Sequence, residues 1–145
     1  MTNFMAHLFV DTWGWLTLRD KGERRHADVA PVFEAFQQPE HRIFTTDFVL
    51  DETFTLLFRR LPFAAARESM ELLAASVEEG SLVSIPITAT RFKAAQSLRI
   101  RYQDKPAISF TDLTSMVVMQ EFNIQKILTE DNHFAQVGLG FELIN

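Results

Sequence analysis

Short apolar runs that stop at a polar residue alternate along this chain with longer stretches in which apolar residues recur every three or four positions. His7–Val10 is such a run, ended by Asp11, and Ile43–Thr45, Leu82–Ile85, Lys126–Leu128 and Phe141–Ile144 are the others. Runs this short, with so sharp a polar stop, read as buried strands. Between them the spacing predicts helices over Thr12–Leu18 and Ala27–Phe36, the latter disturbed by Pro31 or started near it. Thr46 or Asp47 caps a helix to about Arg60, Pro62 opens one that Gly80 stops, and Thr88 caps one to about Tyr102. Ser109 begins another, to about Phe122, and Asn132–Gln136 makes a helical turn. The segment Arg19–Arg25 is polar and broken by Gly22, hence a loop. Short strands alternating with helices call for a parallel sheet covered on both faces, so the fold class is α/β.

Composition narrows the function classes. With 145 residues, 47% hydrophobic and 23% charged, the chain reads as one ordinary domain over 1–145 that can bury a core unaided. It has no cysteine, which excludes a disulfide framework, a thiolate zinc site and a cysteine nucleophile, and suits a reducing cytoplasm. No apolar run approaches the ~20 residues of a membrane span, so no membrane partner is expected. The opening stretch MTNFMAHLFVDTWGWL lacks a basic leader and is interrupted by Asp11, reading as a first strand rather than a signal peptide. Net charge is −5, from 14 Lys and Arg against 19 Asp and Glu. That balance argues against a domain built to coat nucleic acid, unless the acids gather at a metal site.

Where the acids fall decides whether they gather. In open α/β sheets, sites form at the carboxyl ends of the strands. Asp11 directly follows the first strand, and Asp131 follows Lys126–Leu128 after Thr129 and Glu130; either could simply cap a helix. Glu52 has Phe48, Val49 and Leu56 at i−4, i−3 and i+4, whereas Asp51 has Asp47 and Thr55 at i−4 and i+4. Helical periodicity therefore points Glu52 inward and Asp51 outward. A buried carboxylate needs a cation, either a metal or an arginine such as Arg59 at i+7. Asp112 lies three residues after Ser109, close to a capping box, and a first-turn acid also complements the helix dipole. Each acid alone has a structural explanation. Converging on one sheet edge they would repel one another strongly unless a hard cation were bound, and all-oxygen ligands suit Mg²⁺ or Mn²⁺. The matching chemistry is phosphodiester hydrolysis.

Four segments, in order, carry a resemblance: Phe9-Val10-Asp11-Thr12, Thr45 through Thr53 with Glu52, Ser109-Phe110-Thr111-Asp112, and Thr129-Glu130-Asp131-Asn132-His133-Phe134. Through them the chain resembles the PIN-domain family over essentially its whole length, and within it the VapC-like toxin ribonucleases of toxin–antitoxin pairs. The resemblance implies a three-layer α/β/α fold with a central, mainly parallel sheet. It implies Asp11, Glu52, Asp112 and Asp131 as catalytic, metal-binding acids, with Thr12 and Ser109 or Thr129 positioning water or backbone near them. It further implies a Mg²⁺- or Mn²⁺-dependent endoribonuclease with RNA as substrate, a cognate antitoxin as partner, and a homodimer. The reading from another class is a PIN-like module that binds RNA or protein without cutting.

Other features are weighed against packing. Of the 14 phenylalanines, most fall within helices or beside strands and suit a core better than a base-stacking platform. Trp13 and Trp15, just after Asp11, are candidates for a contact surface but fit a core at least as well. The basic residues Arg19, Lys21, Arg24, Arg25, Arg59, Arg60, Arg99, Arg101 and Lys105 suit a phosphate-binding collar or a solvated surface equally. Arg19 and His26 share a spacing with metal-independent helical ribonucleases, which the α/β pattern makes an accident. His7, His26, His41 and His133 show no zinc spacing.

Overall fold

All five apolar runs become strands of one parallel sheet. The computed structural model describes residues 6–145; Met1–Met5, the start of the stretch read against a signal peptide and the place of Phe4, lie outside the described residues. The elements are β1 (His7–Val10), α1 (Thr12–Arg19), α2 (His26–Ala35), β2 (Arg42–Thr46), α3 (Asp47–Arg60) and α4 (Phe63–Glu79). They continue as β3 (Leu82–Ile85), α5 (Ala89–Arg101), α6 (Phe110–Glu121), β4 (Lys126–Leu128), α7 (His133–Gln136) and β5 (Glu142–Ile144).

The expected caps form. Thr46 accepts from Val49 N, Thr88 from Arg91 N and Ser109 from Asp112 N, at 3.1, 3.3 and 3.1 Å. Gly80 ends α4 at φ +85°, a conformation that needs no Cβ. Pro62 stands one position before α4 rather than inside its first turn. Pro31 lies within α2, which nonetheless runs through it. No helix among the described residues is long and apolar enough to cross a membrane.

Sheet order is β3-β2-β1-β4-β5, every pair parallel. Successive connections step outward from β1 through β2 to β3, then return to place β4 on the other side of β1. Right-handed crossovers therefore set α1–α4 on one face and α5–α7 on the other. Within the layers α1 meets α2 and α3, α3 meets α4, and α5 meets α6, while α3 and α6 also meet each other. This is the three-layer arrangement. Covered on both faces, β1 and β4 are apolar after their first residue: Leu8, Phe9, Val10, Ile127 and Leu128 are fully buried. The direction of connection reverses between β1 and β4, and the crevice at their carboxyl ends is the topological switch point of the sheet.

One glycine sets the depth of that crevice. A Cβ on Gly14, in the first turn of α1, would stand 2.7 Å from both the Leu128 carbonyl oxygen and a Val10 methyl. Only glycine lets the start of α1 seat against the end of β4. That seating brings Asp11, just before α1, beside the Thr129–Asp131 segment.

Candidate functional site

Asp11 and Asp131 flank the switch point because each follows one of the two strands that border it. Asp11 is 6% exposed; its side chain accepts from Gly14 N at 3.0 Å and so caps α1. The capping role read from sequence is real, and it coexists with a place in the site. Capping uses one oxygen of the carboxylate and fixes the direction of the other. Thr129, fully buried, accepts from Asp131 N through its hydroxyl oxygen at 3.0 Å, and its hydroxyl proton serves Asp11. The loop after β4 is held further by Thr129 N to the Ile144 carbonyl and by Asn145 Nδ2 to the Thr129 carbonyl.

The other two acids come from opposite faces. On α3, Asp51 is exposed and Glu52 half-buried, as the helical register requires. The pairing of Glu52 with Arg59 does not form; among the described residues Glu52 has no ion-pair partner. Asp112, in the first turn of α6, is delivered by the Ser109 cap. The loop before that cap is closed by Arg99, whose guanidinium donates to the carbonyls of Tyr102, Lys105 and Ile108.

Electrostatics show that these acids share one space. Burial pushes the Asp11 carboxyl up to about 7; the Thr129 and Gly14 hydrogen bonds pull against it, and the charges of Asp131 and Glu52 add to it. Burial likewise pushes Asp112 up to about 8, helped by a proton shared with Asp131 and by the charges of Asp11 and Asp131. Two carboxyls raised this far, each feeling the other acids, mean the cluster lacks an internal counter-charge. Asp11, Asp112 and Asp131 thus act on one another, and Glu52 lies near enough for its charge to act on Asp11.

A fifth residue joins them. Donor atoms of Asp112, Asp131 and His133 all lie within 4.8 Å of one another. His133 N donates to Asp131 Oδ1 at 2.9 Å, folding the loop back so that ring Nδ1 sits 3.0 Å from the same oxygen. That short approach is not aligned as a hydrogen bond, and buried Nδ1 has no other partner among the described residues. His133 has no zinc spacing with the other histidines. Its signal was its position, two residues after Asp131 in a turn.

The other candidates are engaged elsewhere. Trp15 is core, 2% exposed, its Nε1 donating to Thr45 Oγ1 at 3.2 Å while Thr45 donates to the Val10 carbonyl. Trp13 packs half-buried against the core. Arg19 donates to Ser69 Oγ and His26 Nδ1 meets the Thr17 carbonyl, so that pair forms no site. Arg25 pairs with Asp28 and Lys105 with Asp104. Arg99 is taken up by carbonyls, whereas Lys21, Arg24, Arg59, Arg60 and Arg101 are exposed. Phe9, Phe44 and Phe134 are core; Phe58, Phe63, Phe92 and Phe122 are exposed.

The donor set is that of a hard divalent cation: carboxylate oxygens, nearby hydroxyls and one imidazole, with no thiolate. The Thr12 hydroxyl, buried beside Asp11 without a partner among the described residues, fits a site completed by a ligand or its water.

Comparison with known proteins agrees with this reading. The PIN domain model matches residues 8–139. The chain is 33% identical over 132 residues to the 23S rRNA-specific endonuclease VapC20 of Mycobacterium tuberculosis, covering 90% of this chain and 94% of that one. It is 31% identical over 131 residues to a VapC ribonuclease of Archaeoglobus fulgidus, covering 88% and 77%. The crystal structure of VapC20, described as a sarcin-ricin loop cleaving toxin, superposes with a TM-score of 0.76 over 90% of this chain and 95% of that one, at 29% identity. VapBC-5 of Mycobacterium tuberculosis, a member of the VapBC family of toxin–antitoxin systems, shares the fold at a TM-score of 0.58 and 18% identity, covering 97% and 98%. With its acids gathered at the switch point of a parallel sheet and a family match across nearly all of its length, the chain belongs to the PIN domain family.

Proposed function

We propose that this chain is a metal-dependent endoribonuclease, the toxin of a toxin–antitoxin pair, acting in the cytoplasm with residues 1–145 as one nuclease domain. The observation that carries the reading is the gathering of Asp11, Glu52, Asp112 and Asp131 at one crevice, with two carboxyls raised by burial and by the charges of their neighbours. These four are the catalytic acids and hold Mg²⁺ or Mn²⁺. When bound, the cation supplies charge neutralisation for the phosphate and a water of lowered pKa.

The protein's part is placement. Gly14 N and Thr129 fix the Asp11 carboxylate from two sides, and the Ser109 cap aims Asp112. Glu52 approaches from α3, so the acids surround the crevice rather than line one wall of it. Hydrolysis forms a bond from the water oxygen to phosphorus and breaks the bond to the leaving ribose oxygen. The water loses a proton to solvent, and the leaving oxygen gains one. Net acidity keeps bare phosphates away, so RNA binds productively once metal has neutralised the cluster.

The same acids suit regulation. An antitoxin that presents an arginine to these carboxylates replaces the cation with a charge-assisted fork and blocks the site. The exposed apolar side chains Phe58, Phe63 and Ile100 suit contacts with such a partner or with a second copy in a homodimer.

Since VapC20 acts on 23S rRNA, ribosomal RNA is the first substrate to test. The purified protein should make a discrete cut, lose it in EDTA and recover it with Mg²⁺ or Mn²⁺. Cutting that survives thorough chelation overturns metal dependence. A folded, metal-saturated protein that cuts no RNA from a total cellular pool is a binding module instead.

A further inference from the structure

We infer that His133 is a direct ligand of the divalent cation, its imidazole nitrogen completing the carboxylate set and favouring Mn²⁺ over Mg²⁺. The inference rests on the metal site proposed above and extends it to a residue outside the four acids. Three observations carry it. A ring nitrogen of His133 lies within 4.8 Å of carboxylate oxygens of both Asp112 and Asp131. Nδ1 stands 3.0 Å from Asp131 Oδ1 without the alignment of a hydrogen bond, and it is buried with no other partner among the described residues. Two donors bound at about 2.1 Å to one octahedral ion lie about 3 Å apart across an edge, so this spacing is that of neighbouring ligands.

Charge gives a reason for histidine at this place. Asp11 and Asp112 are already raised by burial, and the charges of neighbouring carboxylates add to it. Another carboxylate would add to that repulsion, whereas a neutral imidazole adds a donor without adding charge. Nitrogen is also a softer donor than oxygen. It gains more from Mn²⁺ than from Mg²⁺, which prefers oxygen ligands and keeps its waters. The ring is held for the task from its own backbone, since His133 N is tied to Asp131 Oδ1. The other described histidines are elsewhere: His7 and His41 stand at the amino end of the sheet, and His26 opens α2 against the Thr17 carbonyl.

Pulsed electron paramagnetic resonance of the full chain loaded with Mn²⁺ alone tests this directly. Wild-type protein labelled with ¹⁵N only at histidine should show the hyperfine coupling of a directly bound nitrogen, and His133→Asn should lose it. Titration of the same two proteins should show the preference for Mn²⁺ over Mg²⁺ fall by about tenfold in the variant, the scale on which changes around a metal act. Mn²⁺ bound without that coupling, or with it intact in His133→Asn, overturns the role of His133 and leaves the metal site standing. Folded wild-type protein that binds no Mn²⁺ overturns both. Should His133→Asn fail to fold, the wild-type spectrum still decides, because no other described histidine reaches the cluster.

Discussion

The two ends of the sheet hold opposite kinds of surface. At the amino ends of β2 and β3 a cavity of about 600 Å³ opens between α1, α2 and α4, lined by Trp15, Phe33, Leu73, Arg19, His41 and Arg42 among others. At the carboxyl end a smaller recess of about 310 Å³ is bordered by Asp47, Phe48, Asp51 and Thr111, next to the acids but lined by none of the four. Volume favours the first end. Charge favours the second: burial, with the charges of neighbouring acids added, raises the carboxyls of Asp11 and Asp112 to about 7 and about 8. In a parallel sheet each strand delivers its following residue to the carboxyl end, so side chains distant in sequence converge there. Size of cavity is a poor guide to chemistry in such a fold; crowded charge is a better one.

The largest effect should come from removing one inward acid. Glu52→Gln should lower RNA cleavage by more than about 100-fold, beyond the 10–100-fold typical of groups that only support ligands. Asp51→Asn, one residue away on the exposed face, and Arg42→Ala, at the roomy end, should stay within a few-fold of wild type. Equal losses in Glu52→Gln and Asp51→Asn break the register argument. A loss in Arg42→Ala alone moves the chemistry to the other end.

Stability against pH should reveal the crowding without any substrate. Raised carboxyls keep protons in the folded state that the unfolded chain releases, so this contribution falls as pH rises from about 4 to about 8. Metal-free protein should therefore melt at progressively lower temperature across that interval. Asp104 and Glu121, lowered by hydrogen bonds from Lys105 and Arg91, act mainly below about pH 5. His7, lowered by burial and by Arg42 and His41, opposes the trend up to about pH 6.5, so the fall should be clearest between about pH 6.5 and about pH 8. With saturating Mn²⁺ the sign should invert, because binding requires deprotonated ligands. A metal-free melting temperature that climbs between about pH 6.5 and about pH 8 contradicts the crowded site.

Two smaller effects probe how the acids are placed. Gly14→Ala forces a methyl against the Leu128 carbonyl and Val10, and should cost about 1–3 kcal/mol in denaturant unfolding. It should also weaken Mn²⁺ binding, since α1 must retreat and carry Asp11 with it. Ser109→Ala should cost about 1 kcal/mol, the worth of an N-cap, with a modest loss of cleavage as Asp112 loosens. Unchanged Mn²⁺ affinity in Gly14→Ala separates the close packing from the site.

Much of this was legible in the sequence. The strands β1, β3 and β4 fall where the short apolar runs fall; for β1 and β4 the reason is that a strand buried on both faces has no alternation to blur its ends, and for β3 that Gly80 and Pro86 bracket it. Glu52 could be told from Asp51 because the neighbours of a helical residue are fixed by period alone. Asp11 was less decidable: a capping aspartate and a site aspartate have the same sequence context, and here one carboxylate does both. His133 was legible only as a neighbour of Asp131, since its approach to the cluster depends on how the turn after β4 folds back on Asp131. The role of Gly14 was beyond reach, since it answers to a carbonyl on β4, far along the chain.

The central claim is that the acids form one cation site rather than several helix caps, and Asp112 is where the two accounts part most clearly. Thermal melts of wild type and Asp112→Asn, each with and without Mn²⁺, test it. If the cluster is one site, the metal-free variant should be at least as stable as wild type, because a buried carboxyl that must either keep its proton or repel its neighbours has gone, and the shift produced by Mn²⁺ should shrink sharply. If Asp112 serves only its helix, the variant should lose ~0.3–1 kcal/mol without metal and keep the full Mn²⁺ shift. That second result would contradict the account.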